Sequence, residues 1–310
     1  MPRLSKTLEY RRAKFLNDKQ NLEQLIRQAW SQSKNRSERT ITLTTNESIS
    51  GLSARNSHTN GFAVHCARYI DGQSVGTIKR TPAPEVEVGE KNPEPDENFL
   101  NSDFMALIKG NHVISMNCGR NAASLRIYLY DFFRKAKLPD SSRQFDLIRI
   151  GRPDKIAIIN AVGVGKVDLK IGISETTASE LITRSDDSVW QKSKSAIAEA
   201  LQAITAKDEN LEKIRNAEQG TVTVSINIPK RDLSVAKKGL NSFAEEVVED
   251  EESGNFTIYL RDGSTIRSDE ISVKKRITLE AIANSVNVRQ TWDEMEKYMS
   301  DLEEKGQVKA

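Results

Sequence analysis

The chain has 310 residues, 37% of them hydrophobic and 29% charged, with a formal net charge of +2, a length that suggests about two domains or one large one. No apolar run approaches the ~20 residues that would span a bilayer, and the opening MPRLSKTLEYRRAKF lacks the apolar core of a secretion signal. Two isolated cysteines, Cys66 and Cys118, fit buried reduced thiols in a cytoplasm better than a disulfide framework.

The near-neutral total conceals a partition. Residues 1–80 hold 14 Lys/Arg against 6 Asp/Glu, 81–108 hold 1 against 7, 109–170 hold 12 against 5, and 171–310 hold 19 against 26. This predicts a basic domain over 1–183, interrupted by an acidic loop over 81–103, and an acidic domain over 184–310. Such asymmetry points to a polyanionic partner; the plainer reading is uneven surface charge.

In chain order, YRRAKF predicts a strand and NLEQLIRQAW a helix whose Leu22, Leu25, Ile26, Ala29 and Trp30 share one face. RTITLTT and GFAVHCARYI read as strands. TPAPEVEVGEKNPEPDENF, residues 81–99, carries four prolines and mostly acidic charge. It predicts an exposed loop without fixed structure, of a charge that would let it fold over the basic surface as an internal competitor. FMALIKGNHVISMNCG reads as a hairpin turning at Lys109-Gly110-Asn111, and NAASLRIYLYDFFRKAKLP as a helix closed by Pro139. Its Ala122, Leu125, Leu129, Phe132, Phe133 and Ala136 predict a core stripe, with Arg126, Tyr130, Arg134 and Lys137 on another face. RPDKIAIINAVGVGKVDLKIGI reads as two buried segments reversing at Gly163 and Gly165, with Ile156, Ile158, Val167, Leu169 and Ile171 in the core. Helices follow at SETTASELI and DDSVWQKSKSAIAEALQAI. Then come a strand at TVTVSINI, a helix at LSVAKKGLNSFAEEVVE, a strand and turn at NFTIYLRDGSTI, a strand at SVKKRITL, and an amphipathic helix bearing Trp292, Met295, Met299 and Leu302. Strands and helices intermix without regular strand-helix repetition, which predicts α+β, with mixed or antiparallel sheets, packed helices and two subdomains.

Three chemistries compete in this pattern. A phosphate-binding P-loop around Gly165-Lys166 fails, because Asn160 and Val167 stand where a glycine and a hydroxyl are required. A PD-(D/E)xK nuclease would use Asp154, Asp168 and Lys170, two carboxylates on neighbouring strands holding Mg2+ and a lysine positioning water. That pattern is loose, since Pro139-Asp140 matches its first element equally well. His58, His65 and His112 lack metal-ligand spacing, and His65 and Cys66 point to opposite faces of their strand. The basic helix is the stronger lead: Arg120, Arg126, Arg134, Lys135 and Lys137, with Tyr130 among them and Arg143, Arg149 and Arg152 after it, offer contacts to successive phosphates. Cations near a helix C-terminus also favour the macrodipole with no ligand at all.

From about residue 104 the order of segments resembles the RexA-type exclusion proteins of lambdoid phages. The stretches that carry it are FMALIKGNHVI, GVGKVDLKI, VSINIPKRDLSVAKKGL and FTIYLRDGSTIRSDEISVKKRIT, followed by a terminal amphipathic helix. The resemblance implies a cytoplasmic, dimeric DNA-binding sensor in anti-phage defence, acting with an integral-membrane partner that recruits it to the inner membrane face. It implies no catalytic residues and no cofactor. The expected ligand is double-stranded DNA without strong sequence preference. The nuclease and a protein-interaction scaffold stand as alternatives.

Overall fold

A computed structural model describes residues 2–16, 19–57, 59–80, 85–118, 125–172, 221–227, 235–249 and 255–308. The fold is α+β. Contacts divide the chain into two units: residues 1–147 together with 274–310, and residues 148–273. The break expected at 183/184 falls inside the second unit, outside the described residues, and the last part of the chain returns to the first.

The first unit is built on a nine-stranded sheet. Its strands are β1 (Arg3–Phe15), β2 (Thr40–Thr42), β3 (Glu47–Ser57), β4 (Gly61–Ile70), β7 (Ser102–Lys109), β8 (His112–Cys118), β9 (Phe145–Arg149), β14 (Lys274–Ile282) and β15 (Ser285–Val286). The order is β15-β14-β1-β8-β7-β4-β3-β2, with β9 also on β1. Strand alternation sends Phe104, Ala106 and Ile108 of β7 into one core. There they meet α1 (Leu22–Gln32) and α2 (Leu125–Lys135), which bury Leu22, Leu25, Ile26, Leu125, Tyr128, Leu129, Phe132 and Phe133. Met105 and Leu107 alternate to the opposite face. The terminal helix, labelled α6 once the second unit's helices are counted (Val288–Glu304), contacts β7 and β14 and buries Trp292, Met295, Tyr298, Met299 and Leu302.

The β7–β8 hairpin turns at Gly110, whose φ of 60° lies in the left-handed region that glycine adopts without strain. Asn111 Oδ1 accepts from Leu22 N at 2.8 Å and Glu23 Oε2 accepts from Gly110 N at 2.6 Å, tying that turn to the start of α1.

Between β4 and β7 the chain forms a separate two-stranded ribbon, β5 (Val75–Ile78) with β6 (Val88–Lys91). The acidic stretch expected to be a structureless loop over 81–103 thus supplies a strand at 88–91, and its end, Ser102 and Asp103, is buried in β7. Val88 faces Ile78 across the ribbon, a pairing the proline content hid.

In the second unit α3 (Pro153–Val162) leads into β10 (Val164–Gly172), which lies in the sheet β11-β10-β12-β13. The other elements are β11 (Thr221–Asn227), α4 (Val235–Glu249), β12 (Asn255–Leu260), β13 (Thr265–Arg267) and the single turn α5 (Ser268–Ile271). Ile159, Val167, Leu169, Phe243, Val247 and Ile258 share its core. The expected reversal of two strands at 152–173 is instead a helix followed by a strand. Pro153 stands in the first turn with φ already helical, Asp154 complements the dipole there, and Gly163, at φ 82°, ends the helix. Ile158 is accordingly not core but 40% exposed, and Ile159 is buried in its place. Gly165 occupies a bulge in β10 rather than a turn. The two helices expected at 174–204 lie outside the described residues. Among those described, no helix is long and apolar enough to cross a membrane.

Candidate nucleic-acid interface

The amphipathic pattern of α2 places Tyr128, Phe132 and Phe133 inward and its cations outward, but the cations do not share one environment. Arg126 turns back along the helix: its Nε donates to Phe145 O at 3.1 Å and stands 2.8 Å from Asp146 Oδ1, leaving the side chain 22% exposed. Arg143 pairs with Asp140 and lies over the Tyr130 ring, 5.4 Å from its centroid. Arg149 is buried, over Phe256. Arg152 is held by Asp154 at 3.0 Å. Arg120 lies outside the described residues.

The C-terminal end of α2 is different. Arg134 pairs with Asp131 one turn back yet remains 64% exposed. Lys135 Nζ donates to Ser37 O at 2.8 Å and Thr40 O at 2.6 Å, which brings the 3-10 turn Ser37–Arg39 against the helix end. That turn carries Lys34 and Arg36 beside it, both exposed. Lys137, at φ 57°, leaves the helix in the left-handed region and is also exposed. Lys34, Arg36 and Lys137 have no carboxylate partner among the described residues. The local acid Glu38 accepts from the backbone N–H groups of Lys34 and Asn35 rather than from their neighbours' charges. The fold thereby gathers Lys34, Arg36, Arg134, Lys135 and Lys137 at one edge. Lys34 and Arg36 could not be assigned to it from sequence, because about a hundred residues separate them from α2, and the contacts of Lys135 and Tyr128 with residues 37–40 that join the two stretches are tertiary. Tyr130, 38% exposed, is the aromatic neighbour of this edge.

The alternative set is arranged differently. Asp154 lies in the first turn of a helix, not on a strand, and its carboxyl is held below the usual range by the hydrogen bond from Arg152. Asp168 lies on β10, 14% exposed. Burial raises its pKa, but hydrogen bonds from Lys166 (2.9 Å), Ser225 (2.6 Å) and Tyr259 outweigh that and hold the carboxyl below its ordinary value. Lys170 lies two positions further along the same strand. Among the described residues no group of three or more His, Cys, Asp or Glu side chains is placed to hold a metal ion.

One further polar cluster has no counterpart in the sequence reading. Asp103, 2% exposed, accepts from His65 Nε2 at 2.8 Å and from Ser285 Oγ at 2.5 Å, both on Oδ2. The carboxylate stands between the histidine and the serine, so the imidazole is not placed to take the serine proton. The arrangement ties β4, β7 and β15 together and is not a nucleophile–base pair. Cys66 is buried on the opposite face from His65, as strand alternation requires.

No protein-family model and no curated protein matches this chain.

Proposed function

We propose that this protein binds nucleic acid, double-stranded DNA in the first instance, through the edge formed by the end of α2 and the turn at 34–39, without catalysing a reaction on it. The observation that carries the reading is the gathering of Lys34, Arg36, Arg134, Lys135 and Lys137, from two distant stretches, of which Arg134 alone has a carboxylate partner among the described residues. Fixed cations at such an edge release condensed counterions from a phosphate backbone, which makes binding strong at low salt and indifferent to sequence. Tyr130 beside them can donate to a phosphate or stack on an exposed base. The sequence resemblance to phage-exclusion proteins supplies the setting, a regulatory subunit of an anti-phage system that works with a membrane partner.

The test is fluorescence anisotropy of an unrelated pair of labelled duplexes over a salt series. Replacing Lys34, Arg36 and Lys137 together with Ala weakens binding to both duplexes alike. It also flattens the log-log salt slope by roughly 0.9 for each phosphate no longer neutralised. An unchanged slope in the triple variant removes this edge as the interface. Magnesium-dependent cleavage of a plasmid that disappears in Asp168→Ala would replace the proposal with the nuclease.

A further inference from the structure

The β5–β6 ribbon stands apart from the body that carries it. Every described residue from Val75 to Arg80 and from Glu85 to Asn92 is exposed, and each strand pairs only with the other. An isolated two-stranded hairpin is marginally stable in water. This one also presents apolar surface: Ile78 and Val88, directly opposite in register, are 77% and 74% exposed, with Val75 and Val86 beside them at 37% and 39%. Its base, by contrast, is fastened. Asn98 Oδ1 accepts from Gly72 N at 2.9 Å, Asn98 Nδ2 donates to Asp71, Asn101 Nδ2 donates to Gln73, and Ser74 donates to Glu90. A held base under an uncovered apolar pair is the form of an arm that finishes its packing on another molecule.

We propose that the ribbon is an arm that docks on the cationic α2 edge of a second copy of this chain. The charges match. Residues 75–97 carry six carboxylates (Glu85, Glu87, Glu90, Glu94, Asp96, Glu97) against Lys79, Arg80 and Lys91, whereas the α2 edge has the opposite excess. The apolar pair has a counterpart as well. Tyr130 is 38% exposed beside Arg143, and the N–H of Leu16, 83% exposed, donates at 2.9 Å to the carbonyl oxygen of Gln144, next to Arg143 in sequence. Docking within one chain is not what the structure has, because the arm's described residues are all exposed. Arm-to-arm pairing would set Glu85, Glu87 and Glu90 against their own copies, a like-charge arrangement that disfavours it. If each copy gives one arm and receives one, the contact closes as a two-fold dimer. The docked arm then covers the surface assigned above to nucleic acid.

The inference shares that edge with the proposed interface, but its test contains no nucleic acid, so the two readings can fail separately. Light scattering coupled to size exclusion, at about 50 mM salt where surface charges act over their longest range, reads the mass of the full chain. The wild type runs as a dimer that dissociates on raising salt. Glu85→Lys with Glu87→Lys runs as a monomer, as does Arg134→Glu with Lys137→Glu, and an equimolar mixture of these two variants recovers the dimer mass. Ile78→Ser with Val88→Ser raises the dimer dissociation constant by roughly tenfold for each side chain removed from its packing. Thermal melts of the ribbon variants match the wild type at raised salt, where the wild type is monomeric too, since the arm does not pack on its own chain. A monomeric wild type, a dimer that survives both ribbon variants, or a mixture that stays monomeric overturns the proposal.

Discussion

Arg126→Ala separates a structural cation from a ligand-binding one. In sequence, Arg126 shares a stripe with Arg134 and Lys137, and all three look equally available. In the fold its guanidinium joins α2 to β9 through Phe145 O at 3.1 Å and Asp146 at 2.8 Å. A hydrogen bond to a charged group contributes about 1.5–3 kcal/mol when buried. The ion pair is worth less here, because the Asp146 side chain is 50% exposed and water screens it. The expected loss is therefore about 1–2 kcal/mol, or roughly 3–6 °C in Tm for a unit of this size. Calorimetry and salt-dependent anisotropy on the same sample give the two readouts. Arg126→Ala lowers Tm and leaves the salt slope unchanged. The Lys34/Arg36/Lys137 variant does the reverse, changing stability by no more than about 0.5 kcal/mol. An Arg126→Ala protein with wild-type Tm and a slope reduced by about one would show that the arginine reaches phosphate, and would refute the assignment.

Two further outcomes follow from burial. Met295→Ala, at a fully buried position of α6, costs about 2–5 kcal/mol in urea unfolding, because the sheet face beneath it is too well packed to collapse into the void; a loss below 1 kcal/mol would mean that α6 is not part of this core. Burial raises the Tyr10 phenol from 10.0 to about 12 against the opposing pull of Arg12. It raises Tyr298 to about 12 as well, with Asp301, Tyr10 and Glu9 adding to the effect. Both phenols stay neutral in the fold at a pH where the unfolded chain ionises them. Their stabilisation is thus complete below pH 10 and is lost as pH rises through 12, on the order of 2 kcal/mol each. Urea midpoints measured across that window fall for the wild type and flatten in Tyr10→Phe and Tyr298→Phe; equal slopes in all three would contradict this.

Most of the described helices were legible because their apolar residues recur at helical spacing. Most of the inward residues expected of α1, α2 and α6 are buried, with Trp30 and Ala136 only partly so, Ala122 outside the described residues, and Tyr128 buried without having been expected. β3 was not, because Glu47–Ser57 is dominated by Ser, Asn and Arg and shows no alternation. It is held by position instead, with Gly51 leaving room for the Tyr128 hydroxyl and the Trp30 ring, where a Cβ would come within 2.3 Å of Tyr128 Oη. The stretch 153–162 is apolar enough for either element, and Pro153 and Gly163 are compatible with both readings until φ is known. At the candidate interface, composition located α2 but not its partners. Arg126 is drawn to Asp146 by β9, and the stretch carrying Lys34 and Arg36 is tied to Lys135 through Ser37 O and Thr40 O, contacts that no local pattern encodes.

β14 lies between β15 and β1, pairing along β1 from Arg3–Glu280 to Glu9–Lys274, so β1 waits for a strand that follows the whole of residues 148–273. On the ribosome, residues 148–273 emerge whole and can fold as an inserted body while β1 still has an open edge. The first unit closes only once residues 274–282 have emerged and paired with β1. Its uncovered strand is therefore exposed to misassociation until β14 emerges, and a ribosome that stalls before residue 274 leaves β1 with an unpaired edge.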